Sequence, residues 1–228
     1  MLLFVAAMST MLCLHLSVLG AAGDRDALLY RVDIYLPPKA GRDETADIQQ
    51  IKETVKGLSD IKVLFSFKEL GNPRIILVLD VEKACSWPQL TGFLFSKGYE
   101  FSVTSLYSCE DFAKELGLNL PKDMWSSFFE NHDLLMDRKI FPVGDLSTLE
   151  YNEMLKWTFA GDGALHISGQ EQACFRTLAE YPVELMYFGP VRQHGIEVLE
   201  ENLHGPKYFH NTVTRIENLY SYPEGCQK

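Results

Sequence analysis

The residues best placed to do chemistry stand together near the start of the chain. Arg31, Asp33 and Tyr35 alternate within Leu29-Tyr-Arg-Val-Asp-Ile-Tyr-Leu36. Alternate residues of an extended strand point to one side, so a cation, a carboxylate and a phenol would share a face. In a dry pocket such a set can bind a carboxylate or an enolate, with Asp33 moving a proton. The same residues also make a structural Arg–Asp pair beside a tyrosine, because ion-pair networks without catalytic duty are common. The histidines beyond the N-terminal segment all fall in the second half: His132, His166, His194, His204 and His210. His166 and His210 are further candidates for a general base. His194 and Glu197 are spaced to present two ligands on one helix face, but no third ligand follows at a diagnostic spacing, so no metal site is expected.

Other chemistries lack their motifs. There is no Gly-x-Gly-x-x-Gly, no phosphate-binding Gly-x-x-x-x-Gly-Lys and no Gly-x-Ser-x-Gly elbow, and no cofactor is expected. Gly161-Asp-Gly163 reads as a turn. The formal net charge is −10, without a basic patch, which argues against nucleic acid as a partner. Hydrophobic residues make up 46% and charged residues 23% of the 228-residue chain, ordinary globular usage.

Residues 1–23 hold no Asp, Glu, Lys or Arg, and an apolar run gives way to Gly20-Ala-Ala-Gly23 before charge begins at Asp24. That is the layout of a secretory signal peptide cleaved after Gly23 or Ala22. At about 18 residues the run is also at the lower edge for a retained membrane anchor. With the leader removed, the expectation is a secreted protein with no membrane association. Cys85, Cys109, Cys174 and Cys226 then remain, an even number in an oxidising compartment, so two disulfides are expected among three possible connectivities.

The elements that must position these residues are clearest in the first half. Leu29 to Leu36 is a strand with Tyr30, Val32, Ile34 and Leu36 on its apolar face, stopped by Pro37-Pro38. Ile48, Ile51, Val55 and Leu58 recur at helical spacing, predicting an amphipathic helix capped by Asp43. Strands follow over 61–70 and 74–81 around a Gly71-Asn-Pro73 turn, then a short helix over 87–96 and a strand over 101–108. The order β-α-β-β-α-β is the ferredoxin-like unit. Its helices cover one sheet face. The other would carry Arg31, Asp33 and Tyr35 with Val63, Phe65, Phe67, Phe101, Val103 and Tyr107, which is too aromatic to leave wet, so a second sheet should cover it.

The rest is less regular. Helices are predicted over 110–118, 121–136, 170–180 and 194–203. Strands are predicted over 154–160, 164–167, 183–188 (closed by Gly189-Pro190) and 213–220. Leu-Tyr-Ser occurs at 106–108 and again at 219–221, each after a Gly and an aromatic pair, which suggests a diverged duplication. The expected fold is therefore α+β: duplicated ferredoxin-like βαββαβ units facing each other as an α/β-barrel, the second copy diverged. Its parts would be a signal peptide at 1–23, a ferredoxin-like half at 24–110, a packed connector at 111–150 and a second half at 151–228. In this topology Cys85 and Cys109 follow strands ending on the same side of the sheet, which favours their pairing and leaves Cys174 for Cys226.

The opening strand Leu29-Tyr-Arg-Val-Asp-Ile-Tyr-Leu-Pro37, the hairpin 64–81 with its Gly71 turn, and Leu94-Phe-Ser-Lys-Gly-Tyr-Glu-Phe-Ser-Val-Thr-Ser-Leu106 together resemble the muconolactone isomerase-like proteins of the dimeric α/β-barrel superfamily, over about residues 28–110. The resemblance implies a barrel of two ferredoxin-like sheets with any small-molecule pocket inside or at its mouth. The family's His-Pro after the last strand is replaced by Ser108-Cys109, so no catalytic signature of the family carries over residue by residue. Three readings stay open: a secreted barrel binding a small apolar or carboxylate ligand, a cofactor-free secreted isomerase, and a secreted interaction module with a solid core. Whether the chain is an enzyme, and whether the barrel closes within one chain as an internal pseudo-dimer or between two as a homodimer, is open at this point.

Overall fold

The computed structural model describes residues 28–36, 41–121, 124–129, 133–141, 144, 146–161, 171–178, 180–191 and 210–222, with the backbone alone for 162–167. The leader, Cys226, His132, His194, Glu197, His204, the side chain of His166 and the helix expected over 194–203 lie outside the described residues. Elements run β1 (Leu29–Tyr35), α1 (Glu44–Lys56), β2 (Ile61–Glu69), β3 (Arg74–Val81), α2 (Trp87–Lys97), β4 (Glu100–Ser108), α3 (Cys109–Glu115), β5 (Leu134–Phe141), α4 (Thr148–Ile167), β6 (Ala173–Thr177), β7 (Val183–Pro190) and β8 (His210–Asn218).

The eight strands close into one antiparallel barrel in the order β1-β3-β2-β8-β5-β7-β6-β4. The order β4-β1-β3-β2 is one ferredoxin-like sheet, and β8-β5-β7-β6 repeats it. The duplication is therefore complete in strand order, and the barrel closes within a single chain. Two short seams join the halves: β2 meets β8 only over Phe67–Glu69, and β4 meets β6 only over Leu106–Ser108.

Local chemistry explains the first half. Asp43 caps α1, its side chain accepting from the Ala46 N–H, with Glu44 and Asp47 in the first turn and Lys56 in the last, where each suits the helix dipole. Pro88 opens α2, and Gly98 closes it at φ +67°, a conformation in which a side chain would be strained. Both helices pack on an aliphatic layer that includes Val32, Ile34, Ile51, Leu77 and Leu90. Tyr99 ties α1 to this layer's edge by donating 2.6 Å to Asp47 Oδ1. Burial and that bond push the Tyr99 phenol up to about 12.

Two strand faces differ from expectation. A register shift between Val63 and Phe65 in the β2–β3 ladder is a bulge. It leaves Val63 on the helix side and turns Phe65 and Phe67 inward. On β4 the ladder aligns Asp33 with Ser102 and Arg31 with Thr104, so those residues face inward, while Phe101 and Val103, aligned with Ile34 and Val32, face outward, and Tyr107 with them.

The second half corrects more. Residues 124–129 form no helix, and Leu134–Phe141 is a strand lying in the stretch read as a packed connector. Residues 148–167 are one helix rather than two strands around a Gly-Asp-Gly turn. Ser147 and Glu150 form its capping box, the Ser147 N–H donating 2.8 Å to Glu150 and the Glu150 N–H donating back to Ser147 Oγ. Residues 173–177 are a strand, not part of a helix. Gly189 and Pro190 continue β7 instead of closing it, and the position needs glycine because a Cβ would stand 2.9 Å from Glu171 O in the chain leading into β6. The repeated Leu-Tyr-Ser is not in structural register either: Leu106 faces the barrel interior, whereas Leu219 follows β8 and packs in the aliphatic layer.

Cys109 bonds Cys174, with 5.4 Å between Cα atoms across 65 residues. This replaces the expected Cys85–Cys109 and Cys174–Cys226 pairs. Cys109 opens α3 just past β4 and Cys174 lies on β6, so the bond staples the β4–β6 seam from outside. Cys85 is disulfide-bonded as well, to a cysteine outside the described residues.

Candidate functional site

The barrel interior has a charged end and an aromatic end. At the charged end β1 supplies Arg31 and Asp33, β3 supplies Arg74, β2 supplies Glu69, β5 supplies Arg138 and β7 supplies Glu184. Arg31 Nε donates 2.8 Å to Asp33 Oδ2, and its Nη1 donates 3.1 Å to Glu184 Oε1. Arg138 grips the same carboxylate twice, at 2.6 and 2.7 Å. Arg74 bonds Glu69 and stands 3.7 Å from Asp33 Oδ1. Three guanidiniums thus face three carboxylates, and the ring of charge cancels.

Burial alone would push the Glu184 carboxyl up. The Arg138 hydrogen bonds, with the charges of Arg138 and Arg31, outweigh it and hold Glu184 below the ordinary carboxylate range. Arg138 is raised in turn, chiefly by its bonds to Glu184. One atom is left over: Asp33 Oδ1 is buried with no hydrogen-bond partner among the described residues, in a residue only 2% exposed.

Arg31 and Asp33 therefore come together inside the barrel, on the face expected. Tyr35 ends β1 at the rim and is 37% exposed. His210 begins β8 opposite Ile140 and is exposed, with no described hydrogen bond to the charged ring. Glu184, Arg138, Arg74 and Glu69 were not singled out from the sequence. Glu184 and Arg138 come in only because β5 and β7 line the same lumen as β1, whereas Arg74 and Glu69 stand on β3 and β2 of the first half.

The aromatic end is filled. Phe67 stacks on Phe188 with ring centroids 5.0 Å apart, and Phe65 meets Phe67, Phe175 and Phe188 at 5.9 to 6.3 Å. Residues 124–129 close this end like a stopper. Ser126 N–H donates to Gln172 O, and Phe129 inserts against Phe65 at 5.6 Å.

Beside the stopper, where β2 bulges and runs past β8, lies a cleft of about 230 Å³. Phe65, Phe67, Phe128, Phe129 and Tyr220 supply its apolar walls, and Ser127 and Asn218 supply polar atoms. The sequence signals for it were Trp125, Phe128 and Phe129 in the 121–136 stretch, with Phe65 and Phe67 on the covered sheet face.

A second polar set lies outside the barrel, between the second sheet and helices α3 and α4. Trp125 Nε1, Tyr151 Oη and Arg176 Nε are buried there without a hydrogen-bond partner among the described residues. Arg176 stacks over Phe112 at 4.4 Å, and Lys139 over Tyr187 at 4.3 Å. Among the described residues, no group of three His, Cys, Asp or Glu could hold a metal ion, and no helix is long and apolar enough to cross a membrane.

No family model and no curated protein matches the chain. Solved structures do. A chlorite dismutase variant from Candidatus Nitrospira defluvii, solved with cyanide, aligns at TM-score 0.55 and 13% identity over 86% of this chain and 93% of its own. A protein provisionally assigned as a chlorite dismutase aligns at TM-score 0.53 and 8% identity, covering 86% and 97%. Another, provisionally assigned as a monooxygenase from Fusobacterium nucleatum subsp. nucleatum, aligns at TM-score 0.51 and 8% identity, covering 85% and 93%. At such identities the likeness is one of fold. It supports the α/β-barrel fold expected from the sequence, and does not bear on muconolactone isomerase in particular.

Proposed function

We propose that this chain is a secreted binding protein that holds a small, mainly apolar organic molecule in the cleft between β2 and the 127–129 stopper, without transforming it. The observation that carries this reading is the cleft itself: aromatic walls with two polar handles, the usual composition of a ligand site. Its volume lies below the ~300–1,000 Å³ of drug-sized sites, so the ligand is small. The disulfides at Cys109–Cys174 and at Cys85 support an oxidising compartment and hence secretion.

The isomerase reading has less support. It needs a base within reach of a substrate. Asp33 is enclosed, with one oxygen committed to Arg31, and the lumen beyond it is packed with phenylalanine. In this reading Arg31 and Asp33 hold the barrel's charged end together and do not touch the ligand.

Titration with phenol and with benzoate, followed by NMR, tests the proposal. Both probes should shift the aromatic resonances of Phe128, Phe129 and Tyr220. Phe128→Ala should weaken binding about tenfold, a loss of ~1.4 kcal/mol, and leave the melting temperature unchanged because the ring is largely exposed. Absence of those shifts at millimolar probe, or equal affinity in Phe128→Ala, overturns it.

A further inference from the structure

We propose that the free edge of β4, residues 100–104, is a self-pairing surface through which two copies of this barrel associate about a two-fold axis at Ser102. β1 covers one edge of β4 from Glu100 to Leu106. On the other edge β6 reaches only Leu106 to Ser108, and Leu178 N–H takes Ser105 O at 2.8 Å. No strand accompanies residues 100–104 on that side among the described residues.

The main chain there has the right polarity. Ser105 turns its carbonyl toward the β6 side, so by alternation Phe101 and Val103 also turn their N–H and C=O groups outward. A copy laid antiparallel with Ser102 facing Ser102 brings Phe101 opposite the partner's Val103, and Val103 opposite the partner's Phe101. Those are hydrogen-bonding pairs, so four main-chain bonds form from groups that have no strand partner among the described residues. An isologous contact must match itself, and this span does so at side-chain level too. Aromatic and β-branched residues stand opposed, a favourable cross-strand pair, and Glu100 meets only the partner's Thr104.

The flanks are apolar. Phe95 of α2 packs on Phe101 at 5.1 Å yet remains 71% exposed, and Val103 and Leu178 beside it are 39% and 45% exposed. An open strand edge rimmed by exposed apolar side chains is what natural proteins avoid unless the edge is used. The equivalent strand of the second half, β8, fails the same test. A two-fold at Thr212 would set Asn211 against the partner's Val213 and leave no apolar pair. Five residues per copy bury less than the ~1,200 Å² of a standard interface, so the dimer should be a weak one.

Sedimentation velocity of the purified, disulfide-bonded chain across the micromolar range decides it. The expected result is reversible dimerisation, with Val103→Lys raising the dissociation constant at least about tenfold at unchanged melting temperature. Hydrogen exchange supplies a readout independent of any variant's folding: the amides of Phe101 and Val103 should gain protection as concentration rises. A wild-type chain that stays monomeric, leaving the edge to an extended peptide or other partner, overturns the proposal. So does a dimer that Val103→Lys does not weaken, or one whose Phe101 and Val103 amides exchange at a concentration-independent rate.

Discussion

Glu184 is the residue on which the charged end turns, because it accepts from both Arg31 and Arg138. Glu184→Ala would leave two inward guanidiniums facing one another without their shared partner. Breaking a buried pair by removing one member costs about 3–5 kcal/mol, and partial exposure of Arg138 places the expected loss near the lower figure. Urea unfolding at pH 7 measures it. The pH dependence has a definite sign. The carboxyl is held below its ordinary value of 4.5, so its stabilising contribution is present above that pH and is lost as pH falls through the lower folded value. The gap between wild type and Glu184→Ala should therefore be widest near neutrality and close in acid. Sequence reading could find Arg31 and Asp33, since alternation within one strand is local information. It could not find Glu184, which lies 153 residues from Arg31 and meets it only through barrel closure.

At the level of elements, the Cys109–Cys174 bond joins the end of the first unit to the second strand of the repeat. In the chain-entropy account, releasing a 65-residue loop costs about 4 kcal/mol. The Cys109→Ala, Cys174→Ala double variant should lose roughly that much in guanidinium unfolding, and peptide mapping of the native chain should recover the 109–174 link. The pairing expected from sequence went wrong for a physical reason. Cys85 and Cys109 do follow parallel strands, but Cys109 sits at the β4–β6 seam, where the other half-barrel brings a closer sulfur. Elements of the first half were legible because their signals are local: a period of two in β1, three and four in α1, and an unbroken apolar run in β3. In the second half β5 has charges on both faces, Asp137 and Lys139 outward and Arg138 inward, which erased its alternation. For α4 the Gly161-Asp-Gly163 turn signal misleads, and the helix start is marked instead by the Ser147 and Glu150 capping box. The α4 backbone stays helical through both glycines.

For the molecule as a whole, the aromatic face that seemed too apolar to leave wet is the inside of the barrel, and the second sheet required to cover it is the duplicate. That dependence predicts how the halves behave apart. Residues 24–120 produced alone would expose Phe65, Phe67 and Ile76, which the second half buries through Phe175, Met186 and Phe188. The expected outcome is dye binding to exposed apolar surface and loss of near-UV circular dichroism, with the far-UV signal retained. A cooperatively folded, soluble half with a sharp melting transition would contradict it. The barrel fold was within reach of the sequence because only four strands and their order were needed. The cleft was not, because a bulge at Val63, a stopper from 124–129 and the tail of β8 meet there from three distant stretches of chain.

The single-chain closure has one more outcome. Two identical subunits forming such a barrel must carry every residue twice, related by symmetry, whereas a fused pair is free to diverge. This chain has diverged unevenly. The layer outside the first sheet is mainly aliphatic, with Tyr99 in its core and Lys68 buried beside α1, while the layer outside the second buries Asp137 and Lys139 and stacks Arg176 on Phe112. Fusion thus lets the outer layers differ in charge from half to half: a buried lysine beside α1, against a buried aspartate, a buried lysine and a stacked arginine on the second sheet.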